Sequence, residues 1–205
     1  MVPMHPLVDI DSDEVAYDGR FALQVVRFRY RKFDGAWSRQ LTWELWRRGQ
    51  AVVVLPYDPW TDRVALIEQF RLPALAAGLD PIMTECPAGL MEPGEDPAAA
   101  AARETLEETG LVADRQLDIG RFMLMQGGAD EVGRFSIARV RLPQAGVISE
   151  SGLEDEGEST RVVVMPAAEA FAMVADNRVL NAPAALAVLS LQVRHAALRE
   201  AWRAA

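Results

Sequence analysis

Apolar and polar residues alternate between Phe21 and Phe33, with Val25, Phe28 and Tyr30 interleaved with Arg27 and Arg29, and this two-residue period predicts a half-buried strand. Asp34-Gly35 supplies a hairpin turn, and Trp37 to Trp46 reads as the returning strand, so a small antiparallel sheet precedes the rest of the chain. Met1 to Asp13, polar and Pro-containing, reads as a loose arm. Short apolar runs from Ala51 to Leu55, Val64 to Phe70 and Met83 to Pro87 predict further strands, the first two joined by a turn over Tyr57 to Asp62. Gly120 to Leu124 and Phe135 to Arg141 predict strands around a loop from Met125 to Gly133, and Arg161 to Met165 predicts one more. Three segments read as helices: Pro97 to Thr109, Ala167 to Asp176, and Ala182 to Trp202, where Leu186, Leu189, Val193 and Leu198 recur at a helical period. Strands mixed with helices in this order predict an α/β fold, a layered α/β/α sandwich with a small N-terminal antiparallel sheet.

Composition narrows the class. Half of the 205 residues are hydrophobic and 25% are charged, as in a globular protein with a substantial core. One main domain over residues 49–205 and a smaller N-terminal element over 1–48 is the expected organisation. A net charge of -9 argues against non-specific nucleic-acid binding, which needs a positive surface to displace counterions. An acidic protein binds an anionic substrate only where cations and a few arginines reverse the local potential. Cys86 is the sole cysteine, which precludes an internal disulfide and a multi-cysteine zinc site and fits a reducing cytoplasm. No basic start leads into an apolar core, and no run approaches eighteen apolar residues, so a soluble, cytoplasmic protein without a membrane partner is expected.

The candidate chemistry lies in Gly89 to Leu111, GLMEPGEDPAAAAARETLEETGL. Asp96 can cap a helix whose first residue is Pro97, and Gly110 can close it in the left-handed conformation. Glu104, Glu107 and Glu108 then share one face and repel one another. Such a face does nothing for helix stability, whereas several carboxylates with backbone carbonyls suit a hard divalent cation such as Mg²⁺ that is also held by substrate phosphates. Arg103 is placed to hold one carboxylate by a forked ion pair. Seven specified residues at fixed offsets arise by accident on the order of 10⁻⁸ per window at about 7% usage for each residue type.

The run G-x5-E-x7-R-E-T-x-E-E-x-G-L resembles the Nudix box, with Thr105 where an aliphatic residue is usual. Together with RFRYRKFDG, RRGQAVVVLPYDP, LIEQFR, ECPAGLMEPGE, a Gly-Gly loop and GLEDEGESTRV, it makes the chain similar to the ADP-ribose pyrophosphatase branch of the Nudix hydrolases from about Asp18 to Trp202. That resemblance implies Mg²⁺-dependent hydrolysis of a nucleoside diphosphate sugar, foremost ADP-ribose to AMP and ribose 5-phosphate, with Mn²⁺ as a possible substitute. Another sugar such as that of GDP-mannose, and a non-catalytic nucleotide sensor, are the alternatives. It also implies a homodimer with an exchanged N-terminal sheet.

Carried over position by position, the resemblance assigns the metal to the Ala88 carbonyl, Glu104 and Glu108, with Glu107 assisting through water. The base that activates the attacking water maps to the loop GLEDEGES, where Glu156 is the choice over Glu154, Asp155 and Glu158. Arg71, at a strand end, is a candidate phosphate clamp, and Glu85 is a candidate for binding the substrate end or for supporting a neighbouring site residue. Gly127 and Gly128 would admit the terminal sugar, and Glu131 follows where relatives place a sugar or metal residue. Trp43 stands where such enzymes commonly carry a phosphate-binding arginine, and Arg20 stands where an aromatic often stacks the base, leaving Phe21 as the neighbouring candidate.

Overall fold

The computed structural model describes residues 1–151 and 159–204, grouped into two compact units. Met1–Gln50 and Met123–Val132 form the first, and Ala51–Phe122 with Gly133–Ala205 the second.

In the first unit, β1 (Val8–Asp18), β2 (Ala22–Tyr30) and β3 (Leu41–Arg47) make an antiparallel sheet in that order. Gly35, at φ 79°, turns the β2 to β3 connection, as Asp34-Gly35 predicts. The expected loose arm is corrected here. Val8–Asp18 is an eleven-residue strand paired to β2 from Val8↔Tyr30 to Asp18↔Ala22. Its side chains are mostly exposed, so backbone pairing rather than a buried face holds it, and no apolar alternation betrays it.

The second unit is built on an eight-stranded sheet. Its strands are β4 (Gln50–Asp58), β5 (Arg63–Phe70), β6 (Ile82–Glu85), β7 (Ala88–Leu90), β8 (Arg115–Met123), β9 (Val132–Arg139), β10 (Gly146–Ser151) and β11 (Thr160–Pro166). The order runs β10-β11-β5-β4-β9-β8, with β6 on β5 and β7 on β4. β4 is buried from Ala51 to Asp58 because the central strand is covered on both faces, which explains its unbroken Val-Val-Val-Leu run. The helices are α1 (Leu72–Ala76), α2 (Pro97–Thr109), α3 (Ala167–Ala175) and α4 (Ala182–Ala204).

Alternation along β4 assigns the layers. Val52 and Val54 pack with Ala138 against Ala100 and Ala101 of α2. Tyr57, of the opposite parity, has its ring near His195 and Trp202 of α4. Helices therefore cover both faces, the expected α/β/α sandwich. Besides β1, and small shifts at the ends of β3 and β9, further elements are absent from the sequence reading or displaced against it. α1 is a five-residue helix begun by Pro73, β7 follows the break at Cys86-Pro87, β8 starts at Arg115 rather than Gly120, and β10 sits at the sheet edge.

Candidate active site

Helix α2 delivers the glutamates, and its ends are set locally. The Asp96 carboxylate accepts from the Ala98 and Ala99 amides at 3.1 and 3.0 Å, Pro97 opens the first turn, and Gly110 closes the helix at φ 70°. Ala100 and Ala101 sink into the sheet, and three residues further the same face carries Glu104, which is 8% exposed. Glu104 reaches back to β7. A β-carbon built on Gly89 would stand 2.0 Å from Glu104 Oε1, so the carboxylate occupies the space that any other residue at 89 would need. Glu108 approaches the same turn, with Oε2 accepting from the Ala88 amide at 2.9 Å.

Arg103 organises the acidic face. Its Nε and Nη2 donate to the two oxygens of Glu95 at 3.0 and 3.1 Å, and its Nη1 donates to Glu104 at 2.7 Å and Glu107 at 3.0 Å. A fifth hydrogen bond goes to the Leu90 carbonyl at 3.2 Å. This guanidinium holds the Glu95 carboxyl below its usual range and is itself held firmly protonated by Glu95 and Glu104. Glu104 behaves differently. Burial pushes its carboxyl up, and repulsion from Glu107 and Glu95 adds to this, against the lowering by Arg103. Because Arg103 draws Glu104 and Glu107 to itself while Glu108 turns to the Ala88 amide, no three carboxylates converge on one point among the described residues. The donor set still fits a hard cation. It is all oxygen, and a desolvated carboxylate crowded by like charge is the kind a dication relieves.

A second ion pair lies at the end of β5. Arg71 grips buried Glu85 with Nη2 to Oε2 at 2.7 Å and Nε to Oε1 at 3.0 Å, and Gln69 donates to Glu85 Oε2 at 3.2 Å. β6 pairs Glu85 with Ile67, which puts this carboxylate on the strand leading directly into Ala88.

The remaining candidates lie in the first unit. Phe21, Gly127 and Gly128 line a cavity of about 680 Å³ together with Tyr17, Glu44 and Trp46. Trp46 fixes the glycine loop, its amide donating to the Gly128 carbonyl at 2.8 Å and its carbonyl accepting from the Asp130 amide at 3.1 Å. Glu131 is committed to Arg48, at 3.0 and 3.2 Å, and that guanidinium lies over the Phe21 ring at 3.9 Å and the Trp46 ring at 4.9 Å. Trp43 does not line the cavity; its ring packs edge-on against Phe28 at 5.2 Å. Arg48, Trp46, Glu44 and Tyr17 are the residues that sequence reasoning left out. The one signal in the sequence is that Arg47 and Arg48 lie near Trp43, where an arginine would be usual. Glu156 and its competitors Glu154, Asp155 and Glu158 lie outside the described residues.

A buried glutamate seated on a glycine, with two further glutamates on the same helix, fits the kind of hydrolase that works through a divalent cation. The chain belongs to the Nudix family: the NUDIX domain matches residues 47–182. It is 37% identical over 195 residues to an ADP-ribose pyrophosphatase of Escherichia coli (strain K12), covering 95% of this chain and 92% of that one. An ADP-ribose pyrophosphatase of Haemophilus influenzae (strain ATCC 51907 / DSM 11121 / KW20 / Rd) is 30% identical over 199 residues, covering 96% and 91%. A GDP-mannose pyrophosphatase of Yersinia pestis (strain Pestoides F) is 33% identical over 160 residues, 78% of each chain. Among solved structures, one described as an ADP compounds hydrolase shares the fold, with TM-score 0.69 and 21% identity over 93% of this chain and 95% of that one.

Proposed function

We propose that this Nudix enzyme hydrolyses the diphosphate bond of a nucleoside diphosphate sugar with Mg²⁺, or Mn²⁺ in its place, and that ADP-ribose is the preferred substrate, giving AMP and ribose 5-phosphate. The observation that carries the chemistry is Glu104, a buried carboxylate held over Gly89 and beside Arg103. The substrate rests on relatives named ADP-ribose pyrophosphatase that match 95% and 96% of the chain.

Glu104, Glu108 and the Ala88 carbonyl would hold the cation, with Glu107 assisting from its exposed position. Bound there, a dication supplies neutralisation of the diphosphate and acidifies water for attack. Arg103 opposes the burial that favours the protonated form of Glu104. Arg71, oriented by its two-point grip on Glu85, is the phosphate clamp. Glu85 has that positioning role and meets the substrate end through the arginine. Glu156 removes the proton from the attacking water. Phe21, Gly127 and Gly128 receive the nucleoside or terminal sugar in their cavity, and Glu131 acts there by fixing Arg48.

Residues 1–48 serve dimerisation in this reading. Tyr17 (66% exposed), Val15 (55%) and Trp43 (55%) leave the small sheet with apolar surface that a second copy would cover, so Trp43 contributes to self-association rather than to the substrate pocket. The cytoplasm is the proposed location, on the single buried cysteine. No described helix is long and apolar enough to cross a membrane.

GDP-mannose is the second substrate reading, favoured by the relative of that name. The test is product release from ADP-ribose, GDP-mannose, UDP-glucose and diadenosine compounds, each with and without Mg²⁺. ADP-ribose is expected to give the highest kcat/KM. Tight binding without turnover of any compound would instead make the protein a nucleotide sensor.

A further inference from the structure

Arg134 and Ser136 stand on β9 with unsatisfied buried atoms. Arg134 Nε and Ser136 Oγ are buried and have no hydrogen-bond partner, and Ser136 as a whole is 8% exposed. Arg134 itself is half-buried, and among the described residues it is the one arginine whose Nε is withdrawn from solvent without an acceptor. Arg48, Arg71, Arg103, Arg139 and Arg199 all face a carboxylate. An arginine cannot shed its charge by losing a proton, so a buried Nε–H left without an acceptor is costly, and proteins normally avoid it.

Its location is set by the sheet. The Val140 amide donates to the Tyr57 carbonyl at 3.1 Å and the Val132 amide to the Gly49 carbonyl at 3.0 Å, so β9 runs parallel to β4 with Arg134 beside Val52 and Ser136 beside Val54. Ala138, two residues on, packs with Val52 and Val54 beneath α2, so all three alternate residues share the face that α2 covers. On the other flank of β4, Val52 pairs with Gly89, the residue under the Glu104 carboxylate. Gly89, Val52 and Arg134 therefore form one row across three strands, with Arg134 roughly 10 Å from Gly89 at the usual strand spacing. An extended arginine side chain covers most of that distance.

We propose that Arg134 is a phosphate-binding residue, whose guanidinium, with the Ser136 hydroxyl behind it, receives oxygens of a diphosphate lying on the α2-facing side of the sheet next to Glu104. The assignment rests on reading the site as one that cleaves a diphosphate. It supplies a cation that an anionic substrate needs at an acidic helix, where Arg103 is already consumed by three glutamates.

The test is calorimetric titration of inorganic diphosphate in the presence of Mg²⁺ into the wild type, Arg134→Gln and Arg134→Lys, with a thermal melt of each without ligand. Gln is expected to weaken binding about 10- to 100-fold, the worth of a charge-assisted phosphate contact. Its melting temperature should equal or exceed that of the wild type, because the buried Nε–H without an acceptor has been removed. Lys, which keeps the charge without the fork, should fall between the two. Unchanged affinity in the Gln variant, a lower melting temperature, or no diphosphate binding by the wild type would each overturn the proposal. Failure of the wild type to hydrolyse any nucleoside diphosphate sugar would count against the proposed function instead, since the titration reads anion binding without turnover.

Discussion

Replacing Gly89 by alanine adds a single methyl group where the Glu104 carboxylate lies. The new carbon would be 2.0 Å from Oε1, 2.1 Å from Cδ and 2.4 Å from Oε2. Ordinary contact begins near 3.5 Å, so the carboxylate must retreat by roughly 1.5 Å. Glu104 is 8% exposed and its Oε1 is tied to Arg103 at 2.7 Å, so the retreat either breaks that bond or drags the whole Glu95, Glu104 and Glu107 cluster with it. The displaced atoms end a flexible side chain, and Gly89 does not use the left-handed backbone region, so the strand itself can stay in place. A reactive group moved by about 1 Å commonly costs on the order of 100-fold in rate, about 2.7 kcal/mol of barrier. The assay is kcat/KM for ADP-ribose at saturating Mg²⁺, paired with a thermal melt. Gly89→Ala should lose about 100-fold in activity while melting within about 4 °C of the wild type. Activity within about threefold of wild type would refute the claim that the position of Glu104 over Gly89 governs the chemistry.

Three other outcomes follow from the same structure. Asp62 accepts from the Tyr57 hydroxyl at 2.9 Å and pairs with His195 at 2.6 Å and Arg199 at 3.1 Å; burial acts to raise its carboxyl, but these partners prevail and hold it below the usual value of 3.8. Its stabilisation is therefore complete above pH 4 or so and is lost as pH falls through the depressed folded value, and Asp62→Asn, which tolerates φ 58°, should cost about 1.5–3 kcal/mol in urea melts at pH 7 and flatten their acid limb. Arg139, 7% exposed, donates to both oxygens of Asp114 and to the Trp202 carbonyl at 2.7 Å, so Arg139→Leu should loosen the end of α4, seen as faster amide exchange around Trp202 and a loss of about 2–3 kcal/mol. If the small sheet carries self-association as proposed, Trp43→Glu, which puts charge on its exposed face, should shift sedimentation to a smaller mass; an unchanged mass would remove that face from any contact between copies.

What the sequence disclosed depended on how local its causes were. Helix α2 was legible to the residue because Asp96, Pro97 and Gly110 act on their own backbone neighbours, and the glutamate face follows from spacing alone. β4 and β5 were legible because central strands must be apolar on both faces. β1 was not, since its polar side chains report solvent on both sides while its stability comes from amides pairing with β2, which carries no sequence signature. The same limit hid the stack of Arg48 on Phe21 and Trp46 and the unsatisfied Nε of Arg134, because each depends on partners brought from distant positions or withheld by the fold. The setting of Trp43 was equally hidden, because pairing in β3 brings its ring against Phe28, joining side chains of two strands that the sequence does not connect.

The central claim is that Glu104 and Glu108, facing the Ala88-Gly89 turn, hold a divalent cation on which turnover depends. Its most direct measurement is calorimetric titration of Mn²⁺, with AMP present, into the wild type and Glu108→Gln, alongside Mg²⁺-dependent cleavage of ADP-ribose by both. Saturable binding by the wild type, much weaker binding and no turnover in the glutamine variant, and equal melting temperatures are expected. Equal affinity and near-normal turnover in the variant would contradict the account.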